Sequence, residues 1–105
     1  MTANTFDLIG FVGNGVTMYA TVRGDPRPTA DDITWIKMQG NMPEERIQIT
    51  YDLKTNESRI RINELEYDDA GTYYCTAMIN GVSKSVSMTL SVVGKCLSRV
   101  NTKYK

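Results

Sequence analysis

The chain has 105 residues, 41% apolar and 23% charged, with no histidine and a net charge of zero, which is one domain's worth of chain with apolar content for a single core. All twelve acidic residues lie in 1–93 and four of the twelve basic ones in 94–105, so the body carries −4 and the tail +4; an acidic body lacks the basic footprint of a nucleic-acid binder, and no nucleic-acid partner is expected. No apolar run approaches the roughly 20 residues of a membrane span, so no membrane insertion is expected within this segment, and the opening Met1-Thr2-Ala3-Asn4 is polar and lacks the apolar region of a secretory signal.

In chain order, residues 5–12 read as a short first strand with Phe6 and Leu8 on one face, followed by a turn at Gly13-Asn14-Gly15. Residues 16–22 alternate cleanly, with Val16, Met18, Ala20 and Val22 facing inward. Gly24-Asp25-Pro26-Arg27-Pro28 is a loop, because two prolines remove ladder hydrogen bonds. Strand character resumes over 33–38 around Trp35, and Gly40-Asn41-Met42-Pro43 turns again. Residues 46–53 set Ile47, Ile49 and Tyr51 on one face; residues 59–65 present Ile60, Ile62 and Leu65. Lys54-Thr55-Asn56-Glu57 is the turn between those strands. Residues 72–79 carry Tyr73, Cys75, Ala77 and Ile79 inward, and Asn80-Gly81 is a two-residue hairpin signal that wants positive φ at both positions. Residues 83–93 alternate Ser or Thr with Val86, Met88, Leu90 and Val92. Seven or eight short strands with frequent turns predict an all-β, two-sheet antiparallel sandwich over 1–93, with 94–105 a basic and flexible tail.

The organising stretch is Asp69-Ala70-Gly71-Thr72-Tyr73-Tyr74-Cys75. Gly71 allows a turn that a side chain would obstruct. Tyr73, two positions before Cys75, shares its face and can bond back to the backbone at the corner. Together with Trp35 this stretch resembles the corner and core tryptophan of the immunoglobulin superfamily. Only 11 residues separate Trp35 from Arg46, too few for the extra strands of a variable-type domain. The layout is similar to the intermediate set, as in neural cell adhesion molecules and titin-like proteins. The matching blocks are Ala20 through Pro28, Ile33-Thr34-Trp35-Ile36-Lys37, Arg46-Ile47-Gln48-Ile49 and Arg59-Ile60-Arg61-Ile62-Asn63-Glu64-Leu65. The resemblance implies an immunoglobulin-like β-sandwich in which Arg46 pairs with Asp69 across one end.

One position departs from that family. Ala20 stands where its first cysteine belongs, so the inter-sheet disulfide is lacking and Cys75 has no partner there. Centring the hairpin on Asn80-Gly81 sets Cys75 opposite Val86, and Cys96 lies ten residues further on, roughly 33 Å at about 3.3 Å per residue. A disulfide needs Cα atoms within about 7 Å, so Cys75 and Cys96 are not expected to pair. Losing such a bridge costs roughly 2–5 kcal/mol, and packing must compensate, with Met18 or Met88 filling the space beside Ala20. Cys75 then reads as a small buried hydrophobe. Cys96, flanked by Lys95 and Arg99, is either an incidental tail thiol or a site of intermolecular bridging.

Little in the chain suggests chemistry. Without histidine the commonest general base and metal ligand is missing, and no enzyme activity, cofactor or metal is expected. The doublets Asp31-Asp32, Glu44-Glu45 and Asp68-Asp69 read as solvated loops, apart from Asp69 at the corner; Asp25, Asp31 and Asp32 would be a thin start to a calcium site. Asn56-Glu57-Ser58 is a glycosylation sequon in a turn, though with seven asparagines about one such match arises by chance. The resemblance implies a protein-binding module. As an extracellular domain of a cell-surface adhesion or receptor protein it would bind a protein, homophilically or on another cell surface. The candidate face is Ile36, Lys37, Tyr74, Thr76 and Met78, since Tyr and Met are enriched at interface cores. The alternative is an intracellular, sarcomeric-type structural module, favoured by the missing disulfide.

Overall fold

The computed structural model describes residues 2–3, 7–24, 28–42 and 44–94. The expected tail and Cys96 therefore lie outside the described residues, Gly94 excepted, as do Phe6 and Asp25. The described chain forms β1 (Thr2–Ala3), β2 (Asp7–Phe11), β3 (Val16–Thr21), β4 (Ile33–Lys37), β5 (Ile47–Asp52), β6 (Glu57–Ile62), β7 (Gly71–Ile79) and β8 (Val82–Val93), with single 3₁₀ turns at Ala30–Asp32, Glu44–Arg46 and Tyr67–Asp69. Two four-stranded sheets result, in the orders β1-β3-β6-β5 and β2-β8-β7-β4.

The first strand expected over 5–12 appears as β2, and a separate two-residue strand, β1, precedes it in the other sheet. β1 pairs antiparallel with β3, whereas β2 runs parallel to β8, with Asp7 opposite Thr89 and Phe11 opposite Val93. This one parallel pair departs from the all-antiparallel expectation. At Gly10 of β2 a Cβ would collide with a methyl of the buried Leu65. The β7–β8 hairpin has the expected register, with Cys75 opposite Val86 and Ile79 opposite Val82. Both hairpin residues take positive φ, 52° at Asn80 and 78° at Gly81, as a two-residue loop matching strand twist requires.

Strand alternation drives the core. Val16, Met18 and Ala20 from β3 and Ile60 and Ile62 from β6 face Trp35 from β4, Tyr73, Cys75 and Ala77 from β7, and Met88 and Leu90 from β8, all buried. Val22 and Leu65 close the ends of the same cluster. Ile49 shares the face of Ile47 and Tyr51, opposite Ile60, yet is 47% exposed because β5 is the outermost strand of its sheet.

The centre of this core is polar. Ala20 sits opposite Ser58 in one sheet, and Trp35 sits opposite Cys75 in the other. Across the gap the Trp35 indole Nε1–H donates to Ser58 Oγ at 2.8 Å, fully buried. Burial pushes the neighbouring Cys75 thiol up to about 12, against an opposing influence of the Ser58 side chain. One serine thus joins both sheets where the family's disulfide would run. Met18 and Met88, one or the other of which was expected to fill this space, are both buried in the cluster.

The corner closes one end of the sandwich. Arg46 donates from both terminal nitrogens to the two Asp69 carboxylate oxygens, at 2.8 and 3.0 Å, as the resemblance implied. The Arg46 guanidinium also donates to the Asn63 and Glu64 carbonyls, and the Glu66 N–H donates to Asp69 at 2.8 Å. Burial raises the Asp69 carboxyl pKa, but the Arg46 and Glu66 hydrogen bonds outweigh it and hold the group below its usual value. Tyr73 donates its hydroxyl to the Asp69 carbonyl at 2.5 Å, and burial, followed by the nearby Asp69 charge, pushes the phenol up to about 12. Gly71 has φ 144°, where a side chain would be strained and a Cβ would meet the Lys37 chain at 3.1 Å.

Two stability outcomes follow from this geometry. Ser58→Ala orphans the buried Trp35 N–H and should cost about 1–3 kcal/mol in urea unfolding. Adding Trp35→Phe should then cost less than it does alone, because the donor is already unpaired. Asp69→Asn should cost about 3 kcal/mol at neutral pH, the low end for a broken buried pair because Arg46 keeps some contact with solvent. Since the folded Asp69 pKa is depressed, its contribution is complete above the unfolded carboxyl value of about 3.9 and disappears as pH falls through the folded value. Unfolding midpoints of the wild type and Asp69→Asn should therefore converge in acid.

Candidate protein-binding faces

The sandwich offers two outer faces of different chemistry. Outward residues of β3, β6 and β5 are Thr17, Tyr19 and Thr21, then Glu57, Arg59 and Arg61, then Gln48, Thr50 and Asp52. Their charges are engaged locally. Arg59 donates to Glu57 at 2.7 Å and lies 5.6 Å above the Tyr19 ring. Arg61 donates to Thr17 at 3.2 Å and to Asn63 at 3.0 Å. That face is a solvated polar surface.

The other face is built differently. β4 contributes Thr34 and Ile36, β7 Thr72, Tyr74, Thr76 and Met78, and β8 a hydroxyl-bearing row, Ser83, Ser85, Ser87, Thr89 and Ser91, ending at Val93. β2 adds Asp7, Ile9 and Phe11 at the far edge. Asp7 is the only charged residue among these described positions. Ile36 is 49% and Met78 48% exposed. Register places Ile36, Tyr74 and Ser87 in one row and Thr34, Thr76 and Ser85 in the next, where the Thr76 and Ser85 hydroxyls are 2.8 Å apart. Tyr74 reaches the Met38 sulfur at 3.9 Å, and Met38 is itself exposed.

Four of the five candidate-face residues, Ile36, Tyr74, Thr76 and Met78, are therefore brought together on one surface. Lys37 is a correction. It pairs with Tyr73, on the inward side of the pleat with Trp35, since successive strand residues point to opposite faces. Its ammonium group leaves the end of the sheet and donates to the Asp68 carbonyl. There it lines an open hollow of about 550 Å³ with Gln39, Asn41 and Tyr67.

The frame residues Trp35, Ala20, Cys75, Tyr73, Asp69, Gly71 and Arg46 lie in the core and at the corner, and hold the face without belonging to it. Ile9, Phe11 and Val93 were not anticipated as part of the surface; the parallel pairing of β2 with β8 puts them there. The acidic doublets do not converge. Asp32 caps its own turn, accepting from the Thr29 N–H at 2.9 Å, and Asp69 belongs to the corner. Among the described residues no group of three or more His, Cys, Asp or Glu could hold a metal ion, and no described helix is long and apolar enough to cross a membrane.

The sequon residues have structural roles of their own. Asn56 takes φ 60° in the turn before β6, and its carbonyl accepts the Val22 N–H at 2.7 Å. Ser58 is the buried acceptor for Trp35.

Comparison with known proteins agrees with this architecture. The family described as "Immunoglobulin I-set domain" matches residues 2–92. Contactin-5 from Mus musculus is 35% identical over 72 residues, which is 69% of this chain but 6% of the length of contactin-5. A titin M3 domain structure has a TM-score of 0.69 at 23% identity, covering 87% of this chain and 94% of the other. Titin M10 in its complex with an obscurin-like 1 Ig domain gives 0.72 at 21% identity, covering 90% and 94%. The titin likenesses establish the fold. With the sandwich, the corner and a match spanning nearly all of the described residues, the chain belongs to the immunoglobulin superfamily as an I-set domain.

Proposed function

We propose that this domain is a non-enzymatic protein-binding module of a cell-surface adhesion or recognition protein, acting through the outer face of β2-β8-β7-β4. The observation that carries this reading is the chemistry of that face. Charge is confined to Asp7 on the edge strand β2, while Ile36 on the opposite edge strand lies in a row with Tyr74, and Met78 lies further along β7 toward the hairpin. Depletion of charge with enrichment of Tyr and Met is the compositional signature of an interface core. The opposite face carries Arg59, Arg61, Glu57 and Asp52 instead. The level of identity to contactin-5 favours the cell surface over the more distant titin folds.

A second reading, an intracellular structural module, rests on Ala20. A buried hydroxyl and thiol in place of the inter-sheet disulfide suits a reducing compartment. The titin M10 and Z1Z2 domains, solved in complexes with an obscurin-like 1 Ig domain and with telethonin, are structural precedents for protein binding by this fold.

Immobilised wild-type chain and its Met78→Asp and Arg59→Glu variants, compared in extracts of the source tissue, test the face. Met78 is half-exposed, so Met78→Asp should leave the melting temperature almost unchanged yet weaken capture at least tenfold. Arg59→Glu should retain it. Capture that survives Met78→Asp, or is lost with Arg59→Glu, refutes the assignment. Expression through a secretory host separates the two compartments: a glycan found on Asn56 by intact-mass analysis supports the cell-surface reading, and an unmodified Asn56 supports the intracellular one.

A further inference from the structure

The geometry points to a binding site separate from the outer face of β2-β8-β7-β4: the hollow at the corner end of the sandwich takes an Asp or Glu side chain from an acidic peptide segment, with the Lys37 ammonium as its anchor. Lys37 is half-buried, and its stem passes Gly71 so closely that a Cβ there would meet it at 3.1 Å. On the other side its Nζ would lie 3.8 Å from a Cβ on Gly40. The two turns flanking the charge are thus glycines, which leave it uncovered. An ammonium carries three donors. One goes to the Asp68 carbonyl, and among the described residues Lys37 forms no ion pair. Asp69 feels the Lys37 charge but is already held by Arg46. A half-buried charge without a counter-ion is costly, and a ligand carboxylate completes it with a charge-assisted hydrogen bond.

The lining selects the ligand. Gln39 and Asn41 add amides and the exposed Tyr67 a phenol, all able to donate to a carboxylate. With one ammonium and no guanidinium among its described lining, the hollow suits a single carboxylate better than a phosphate, which arginine forks favour. Asp68 is exposed and also lines the hollow. It repels a free multivalent anion, yet can accept from the backbone N–H groups that a peptide brings beside its carboxylate. The volume of about 550 Å³ is that of a ligand pocket. A smaller recess lined by Met38 and Thr72 shares the Gln39 and Ala70 wall, and seats an apolar side chain next to the acidic one. The body carries −4, so no long-range field draws an acidic peptide in, and a short peptide binds weakly.

The test titrates the chain with the blocked peptide acetyl-Gly-Glu-Leu-Gly-amide, with its Gln counterpart and with inorganic phosphate, read by amide NMR shifts. The Glu peptide should give saturable shifts at Lys37, Gln39, Asn41 and Ala70, and the Gln peptide should bind at least tenfold more weakly. Lys37→Met keeps an apolar stem, removes the ammonium and should weaken the Glu peptide at least tenfold. Because Lys37 also holds the Asp68 carbonyl, a second variant is needed. Gln39→Glu, at an exposed position, sets a carboxylate beside the ammonium and should block the peptide with the melting temperature unchanged, whereas Arg59→Glu on the opposite face should leave binding as it was. Equal affinity for the two peptides, binding that persists in Gln39→Glu, or no shifts at the hollow overturns the site. Phosphate binding more tightly than the Glu peptide overturns the peptide as its ligand. Shifts centred on Tyr74 and Met78 would move the peptide to the outer face and overturn the hollow alone.

Discussion

A single buried hydroxyl holds the two layers of this sandwich in relation to each other. Trp35 and Cys75 come from one sheet and Ser58 from the other, and the 2.8 Å indole-to-serine hydrogen bond crosses between them. A disulfide at this place would act largely on the unfolded chain, by removing entropy. A hydrogen bond acts in the folded state, and mainly by exclusion: its net gain is modest, but leaving either group unpaired in the core is expensive. The arrangement therefore specifies register as much as stability. Sliding β6 by one residue would turn Ser58 to solvent and leave the Trp35 donor with nothing to meet.

That centre works together with the corner at one end. Arg46 and Asp69 form a two-pronged pair reinforced by three backbone groups, and Tyr73 links the same loop to the core strand bearing Cys75. The loop between β6 and β7 is consequently held at both ends. A flat presentation of β7 and its neighbours depends on this, because Tyr73 and Cys75 point inward while Tyr74 and Thr76 point outward along the same strand. A rigid scaffold behind a face lowers what its side chains lose on binding.

The two faces of the sandwich differ in chemistry. Arginine, glutamate and aspartate on β6 and β5 keep one side solvated, with ion pairing and the Tyr19 ring absorbing the Arg59 charge. The side formed by β2, β8, β7 and β4 trades charge for hydroxyls and a few large apolar groups. A surface of that kind excludes water at low desolvation cost without a continuous apolar patch that would aggregate.

Alternation, turn residues and the spacing of the corner determined the two-layer fold, the β7–β8 register and the inward rows of β3 and β7 before any coordinates, because each is a local property of consecutive residues. Ile36, Tyr74, Thr76 and Met78 were legible as a surface for the same reason. Tertiary structure decided what depends on contacts between distant segments. It removed Lys37 from that surface, placed a further strand, β1, in the other sheet ahead of β2 and added Ile9, Phe11 and Val93 to the face. It also revealed Ser58 as the acceptor for Trp35. In the sequence, Ser58 reads as the last residue of a sequon, and its inward parity with Ile60 and Ile62 was the one signal available. Its partner, 23 positions away, becomes a neighbour only when the two sheets close on each other.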